Sequence, residues 1–230
     1  DICDFNNDGK KDLILADGGG NVVLYLNIGT DEEPLLGPGQ IIEADGKPIK
    51  GKGGRSSITV ADFDNDGKKD LIFADQEYKQ SSGYLFFKNI GTDDKPVFAA
   101  EKPILFNGQP VNYVRPNLGK FIDWDGDGKK DLIACYFECD IRFYRNIGSG
   151  AAGELPQFAD NEGTVIVRPF SVQMVSGAEV IDFNGDGDLD ILAGQGHGGS
   201  GLRFYERDYI EDQLNNTSPM VTVEKMEGRP

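Results

Sequence analysis

The sequence predicts an all-β fold, a β-propeller of four-stranded antiparallel blades. Three observations predict it. A nine-residue acidic segment recurs four times at nearly even spacing. Short apolar runs flank each copy in the same order. The joints between runs are rich in Gly, Asn, Asp and Pro, with 31 Gly in 230 residues, which suits many short strands linked by tight turns.

The acidic segments align without gaps. They are Asp4-Phe-Asn-Asn-Asp-Gly-Lys-Lys-Asp12, Asp62-Phe-Asp-Asn-Asp-Gly-Lys-Lys-Asp70, Asp123-Trp-Asp-Gly-Asp-Gly-Lys-Lys-Asp131 and Asp182-Phe-Asn-Gly-Asp-Gly-Asp-Leu-Asp190. Self-similarity at a period of roughly 60 residues marks a repeat architecture. An apolar run follows each motif: Leu13-Ile-Leu-Ala16, Leu71-Ile-Phe-Ala74, Leu132-Ile-Ala134 and Ile191-Leu-Ala193. After a polar or glycine-rich turn comes an aromatic-rich run: Val23-Leu-Tyr-Leu26, Tyr84-Leu-Phe-Phe87, Ile141-Arg-Phe-Tyr144 and Leu202-Arg-Phe-Tyr205. Three copies then carry Asn-Ile-Gly-Thr/Ser, at Asn27, Asn89 and Asn146. Pro34-Leu-Leu36, Pro96-Val-Phe98 and Pro156-Gln-Phe158 follow as the next short stretch. One more run, such as Ile58-Thr-Val-Ala61, precedes the motif.

β-Branched and aromatic runs bounded by turn residues read as strands. Four antiparallel strands per repeat is the blade pattern, and a solenoid of stacked sheets is the alternative. The blades fall at about residues 1–50, 51–111, 112–170 and 171–230 of a single domain or fragment. A 3.6-residue period shows only at Tyr209–Asn216, a candidate short helix. The chain opens at Asp1-Ile2-Cys3-Asp4, inside a repeat and without its first strand. This suggests a cut from a longer precursor with further blades of the same polypeptide. Val221-Thr-Val223 is the other candidate to complete the first blade. The four motifs leave open whether the ring closes or belongs to a larger propeller.

The acidic segment has a direct chemical meaning. Ca²⁺ is a hard cation that takes 6–8 oxygen ligands, and a tight loop supplies them from alternate positions. Positions 1, 3, 5 and 9 offer side chains and position 7 a backbone carbonyl. Position 6 is Gly in every copy, at Gly9, Gly67, Gly128 and Gly187. Loop one offers Asp4, Asn6, Asp8, the Lys10 carbonyl and Asp12. Loop two offers Asp62, Asp64, Asp66, the Lys68 carbonyl and Asp70. Loop three offers Asp123, Asp125, Asp127, the Lys129 carbonyl and Asp131. Loop four offers Asp182, Asn184, Asp186, the Asp188 carbonyl and Asp190. About four calcium sites are therefore expected. An EF-hand is excluded, because its position-12 Glu is replaced by Leu15, Phe73, Ala134 and Ala193 and the flanks are strands.

The formal net charge of −16 fits this reading. The loop carboxylates account for most of the excess, since three or four stand in each loop. Such packing is costly unless a cation compensates it. An acidic surface argues against nucleic acid or an anionic membrane as partner. No apolar run is long enough to insert into a membrane. Of three cysteines, Cys135 stands at a small core position of the repeat, matching Ala16, Ala74 and Ala193, and Cys3 at a core position matching Ala61, Ile122 and Ile181. Cys135 also lies close enough in sequence to Cys139 for a hairpin disulfide.

The loops, their flanking strands and the Asn-Ile-Gly-Thr segments resemble FG-GAP/VCBS repeats, as in integrin α-subunit propellers and many secreted bacterial proteins. The literal Phe-Gly and Gly-Ala-Pro elements are missing, so the bacterial VCBS type is the nearer match. The fourth copy has Glu206-Arg-Asp208 in place of Asn-Ile-Gly, which marks a terminal or specialised blade. The resemblance implies structural calcium and an extracellular, secreted or cell-surface protein. It also implies a non-catalytic module that binds a polysaccharide or protein. Asn215-Asn-Thr217 and Asn216-Thr-Ser218 are sequons.

In an up-and-down blade the calcium loops occupy one end, which leaves the other for a ligand. That other end carries Arg55, Tyr78, Tyr113, Arg115, Tyr136, Arg168 and the only histidine, His197. Arginine with aromatics suits an anionic sugar or a protein. The alternative function is a polysaccharide lyase acting on a uronate-containing glycan. There His197 and Tyr136 would move protons, while Arg115 and Arg168 neutralise the carboxylate. The bland reading of His197 is an ordinary loop histidine.

Overall fold

The structure is a computed structural model. It describes residues 1–51, 56–75, 83–110, 119–135, 140–160, 162–167, 175–195, 201–208 and 210–211. The fold is all-β and of the β-propeller class, with antiparallel sheets as blades. The chain divides into two compact units. One comprises Asp1–Asn112 with Ile147–Asn161, the other Tyr113–Asn146 with Glu162–Pro230.

The first unit holds two blades. Blade one runs β1 (Ile2–Cys3), β2 (Asp12–Ala16), β3 (Val22–Tyr25) and β4 (Gln40–Ile41), in that spatial order. A small hairpin follows, β5 (Glu43–Ala44) and β6 (Lys47–Pro48). Blade two runs β7 (Ser56–Ala61), β8 (Asp70–Asp75), β9 (Gly83–Phe87) and β10 (Lys102–Pro103). A second hairpin is β11 (Leu105–Phe106) and β12 (Gln109–Pro110). Inner strands bury both faces, so their sequences read as continuous apolar runs rather than alternating ones. In β8, Leu71, Ile72, Phe73 and Ala74 are all buried. Leu71 and Phe73 share a core with Phe5, Ile14 and Ile58.

The second unit holds β13 (Lys120–Ile122), β14 (Asp131–Cys135), β15 (Ile141–Tyr144) and β16 (Thr164–Val167) as one sheet. A further sheet holds β17 (Val175–Ile181), β18 (Asp190–Gln195) and β19 (Leu202–Tyr205). Trp124, Ile133, Ile141, Ile191 and Tyr205 lie in its core. Cys135 is buried in the same core, as its place in the repeat predicts. Cys3 is partly buried against the first unit's core. Cys139 lies outside the described residues, and with it the proposed disulfide.

Four details differ from the sequence reading. The first blade does possess a first strand, because Ile2 and Cys3 pair with Leu13 and Asp12. The Pro34, Pro96 and Pro156 stretches are not fourth strands. Leu36 and Phe98 make only single bridges to Asn27 and Asn89, and the fourth strands come later, at β4, β10 and β16. Proline supplies no N–H to a ladder, and the next N–H of the first two stretches bonds an asparagine side chain instead. The helical turn begins at Arg207 rather than Tyr209, with the Ile210 N–H donating to the Glu206 carbonyl at 3.1 Å. Val221–Val223 and the two sequons lie outside the described residues.

The fourth difference is the pair of hairpins, which the sequence reading missed. Asp45-Gly46 and Asn107-Gly108 have φ of 47°, 71°, 48° and 73°. Positive φ at both central residues is the type I′ geometry that Asp-Gly and Asn-Gly favour. Each hairpin docks on the following repeat. The Asp45 N–H donates to Phe98 O at 2.9 Å, and the Asn107 N–H to Phe158 O at 2.8 Å. Phe106 stacks on Phe158 with centroids 4.6 Å apart. Residues 147–161 thereby belong to the first unit.

Candidate metal centres

Each acidic segment is the connection between the first two strands of its sheet. Residues 4–11 join β1 to β2, 62–69 join β7 to β8, 123–130 join β13 to β14, and 182–189 join β17 to β18. The loop is held by its own carboxylates. The position-1 aspartates accept the N–H of Gly9, Gly67, Gly128 and Gly187 at 3.0, 3.0, 2.9 and 3.1 Å. The position-5 aspartates accept the N–H of Lys10, Lys68, Lys129 and Asp188 at 3.0, 3.1, 3.0 and 2.9 Å. Position 6 has φ between 83° and 100° in all four loops, which is why it is glycine. Position 4 is also left-handed, at Asn7, Asn65, Gly126 and Gly185. Only Gly and Asn visit that region cheaply, so the Asn/Gly choice at position 4 is explained.

Position 9 is more than a candidate ligand. Asp12, Asp70, Asp131 and Asp190 are at most 1% exposed. One carboxylate oxygen accepts the N–H of position 2, at Phe5, Phe63, Trp124 and Phe183. The other accepts the N–H of the second residue after the third strand, at Asn27 (2.8 Å), Asn89 (2.7 Å), Asn146 (2.7 Å) and Arg207 (3.1 Å). One carboxylate therefore ties the loop to the third strand in every repeat. Burial pushes the Asp70 carboxyl up to about 6, against the hydrogen bond from Asn89. Burial raises Asp131 as well.

The recurring asparagine orders the next turn. Asn27 Oδ1 accepts from Gly29 and Leu35 N–H at 3.0 and 3.1 Å, and Asn89 Oδ1 accepts from Gly91 and Val97 at 3.0 and 3.2 Å. A Cβ on Gly29 would sit 2.4 Å from the Glu33 carbonyl oxygen, and one on Gly91 2.5 Å from that of Lys95. Close approach of backbone selects glycine there.

Two loops bring carboxylates into tight groups. Ligand oxygens of Asp62, Asp64 and Asp70 lie within 4.8 Å of one another, as do those of Asp123, Asp125 and Asp131. In each group one buried oxygen, Asp64 Oδ1 and Asp123 Oδ1, has no hydrogen-bond partner. Buried polar atoms in proteins are as a rule hydrogen-bonded, and a lone buried oxygen in a group of three carboxylates asks for a cation. The donor set is all oxygen, which fits a hard divalent ion such as Ca²⁺. Loops one and four place an amide, Asn6 or Asn184, at position 3.

Positive side chains reach the two four-carboxylate loops. Lys88 Nζ pairs with Asp64 and, at 2.7 Å, with Asp66. Burial opposes its charge, but the bonds to Asp64 and Asp66 prevail and raise its pKa. Asp66 is lowered, chiefly by the same hydrogen bond. Arg145 Nε pairs with Asp125 Oδ2 at 2.7 Å. Lys129 Nζ pairs with Asp127 at 3.0 Å, and that hydrogen bond is the main cause holding Asp127 low.

The remaining sequence-predicted candidates, His197, Tyr136, Arg115 and Arg168, lie outside the described residues, as do Arg55, Tyr78 and Tyr113. A cleft of about 600 Å³ that the sequence did not signal lies in the first unit, lined by Leu105, Asn107, Ile147, Glu154, Pro156 and Phe158.

The repeated geometry agrees with the comparisons. Residues 4–73 and 123–193 match the family model described as FG-GAP-like repeat. This chain belongs to the FG-GAP-like repeat family. It is similar to cartilage acidic protein 1 of Homo sapiens, at 26% identity over 170 residues, covering 70% of this chain and 22% of that protein. The Mus musculus protein of that name is 25% identical over 166 residues, with 70% and 22% covered. The Xenopus tropicalis one is 26% identical over 137 residues, with 60% and 20% covered. The chain thus spans about a fifth of the length of the curated relatives it matches. Among the described residues no helix is long and apolar enough to cross a membrane.

Proposed function

We propose that this FG-GAP-like chain is a calcium-stabilised, extracellular β-propeller module that binds a carbohydrate or protein. Calcium would be held by positions 1, 3, 5 and 9 and the position-7 carbonyl of each loop. Its chemistry is electrostatic, neutralising carboxylates that the fold draws together. The observation that carries this reading is Asp64. It is 1% exposed, and its Oδ1 lacks a partner among three further carboxylates of a loop that recurs four times. The chain's residues do the rest. Position-9 carboxylates join loop to strand, and position-6 glycines turn the backbone so that the others converge.

The extracellular reading is supported by the demand for calcium, which is abundant outside cells. It is also supported by similarity to a protein whose name places it in cartilage and calls it acidic. Isothermal titration of the chelated chain with calcium tests the metal reading. Saturable binding, with magnesium much weaker, is expected; no heat and no bound metal by elemental analysis would defeat it. For the ligand, a glycan array in calcium tests carbohydrate binding. Absorbance of unsaturated uronate on acidic polysaccharides tests the lyase alternative, and silence across a broad panel removes it.

A further inference from the structure

The four loops differ most at a residue outside the nine-residue motif. It directly precedes the residue whose N–H caps the position-9 carboxylate. It is Leu26 in loop one, Lys88 in two, Arg145 in three and Glu206 in four. Where this residue is polar, it meets position 3 of its own loop. Lys88 pairs with Asp64, Arg145 Nε reaches Asp125 Oδ2 at 2.7 Å, and Glu206 Oε1 accepts from Asn184 Nδ2 at 3.0 Å. The two positions are matched in kind. A cation faces each Asp, and Leu26 or Glu206 accompanies each Asn.

The match has a consequence for charge. Loops two and three combine four carboxylates with one strand-end cation. Loop one has three carboxylates and a neutral leucine, so these three loops present the same net charge. Loop four has carboxylates at positions 1, 5 and 9, a further motif carboxylate in Asp188 at position 7 and a fifth in Glu206, and no cation at the strand-end position offsets them. Ligand charge count is a main determinant of calcium affinity in oxygen-ligand loops.

We propose that this strand-end residue sets the calcium affinity of its loop. Lys88 and Arg145 are tethered cations that compete with the metal for the position-3 carboxylate. Glu206 is an added carboxylate that makes loop four the tightest site. The proposal rests on the calcium reading above. Lys88, with a side chain 28% exposed, restrains its loop more than Arg145, which is 58% exposed and better screened.

Loop three is read through Trp124, whose ring also packs 4.0 Å from Arg207 beside loop four, so the part of the signal that responds to Arg145 substitution is the loop-three part. Trp124, the only tryptophan, occupies its position 2, between Asp123 and Asp125. Terbium in that loop is sensitised by Trp124, and calcium displaces it. The experiment titrates the full chain with terbium under tryptophan excitation, then displaces the terbium with calcium. Arg145→Leu is expected to raise calcium affinity at loop three about tenfold. Asp125→Asn added to Arg145→Leu recreates the loop-one pair and should return affinity to within about threefold of the parent. Unchanged or weaker binding in a folded Arg145→Leu protein overturns the proposal while leaving the calcium reading intact. Absence of sensitised emission and of calorimetric calcium binding in every protein overturns both. Glu206→Gln, followed by calorimetry, should weaken one tight site at least about fivefold, and an unaltered isotherm removes the role of Glu206.

Discussion

Replacing Asp70 with alanine removes one carboxylate that serves two backbone groups. Asp70 is fully buried, and its oxygens accept the N–H of Phe63 at 3.2 Å and of Asn89 at 2.7 Å. Each stranded N–H costs about 1–3 kcal/mol. The burial cost that pushes this carboxyl up to about 6 is relieved at the same time, which offsets part of the loss. A net destabilisation of about 3 kcal/mol in EDTA follows, or a fall in melting temperature of roughly 6–12 °C for a chain of this size. Asp70→Asn relieves the same burial cost but keeps one acceptor, so it should lose about half as much or less in EDTA. In calcium both variants should lose the metal-dependent gain at this loop. Thermal unfolding by circular dichroism, run in EDTA and in calcium, reads all of this. If Asp70→Ala in EDTA melts within about 2 °C of the parent, the carboxylate does not tie loop to strand as described.

Gly91→Ala should cost about 2–3 kcal/mol in urea unfolding, because its Cβ would lie 2.5 Å from the Lys95 carbonyl oxygen and 2.9 Å from Val97 N. A loss under about 0.5 kcal/mol would mean that the turn relaxes freely. Calcium binding should also depend on pH. Asp70 titrates near 6 in the folded chain, above its unfolded value of 3.8. Without metal, burial thus favours its protonated form, a contribution present below 3.8 and lost as pH rises through about 6. Calcium needs the carboxylate, so its affinity should fall as pH drops through about 6, and a calorimetric isotherm unchanged across that range would refute this.

Much of the architecture was legible because the repeat puts the same residues in the same structural roles four times. Asp, Gly and Asp at fixed offsets marked each loop, and the runs around them marked the inner strands. What the reading missed lies between repeats. The Pro96-Val-Phe98 stretch looked like a strand because it is short and apolar. Its apolar residue is in fact buried under the preceding repeat's hairpin, with Phe98 only 4% exposed. The Asp45-Gly46 and Asn107-Gly108 dipeptides carry the signal for those hairpins in the sequence itself. At the loops, the sequence signals position 9 as a metal ligand alone. Its structural bonds go to backbone N–H groups, which carry no sequence signature. The pairing of Lys88 with Asp64 joins residues 24 positions apart and becomes visible only when strands are in register.

The account rests on calcium holding the loop carboxylates together. Melting temperature with and without the ion tests this most directly. The full chain should be stripped with EDTA, melted, and melted again after calcium is restored. Calcium at about 100-fold over its dissociation constant adds about 2.7 kcal/mol per site. Two occupied sites should therefore raise the melting temperature by roughly 10–20 °C, reversibly, with magnesium doing much less. Identical melting in EDTA and in calcium, with no bound metal by elemental analysis, would contradict the account.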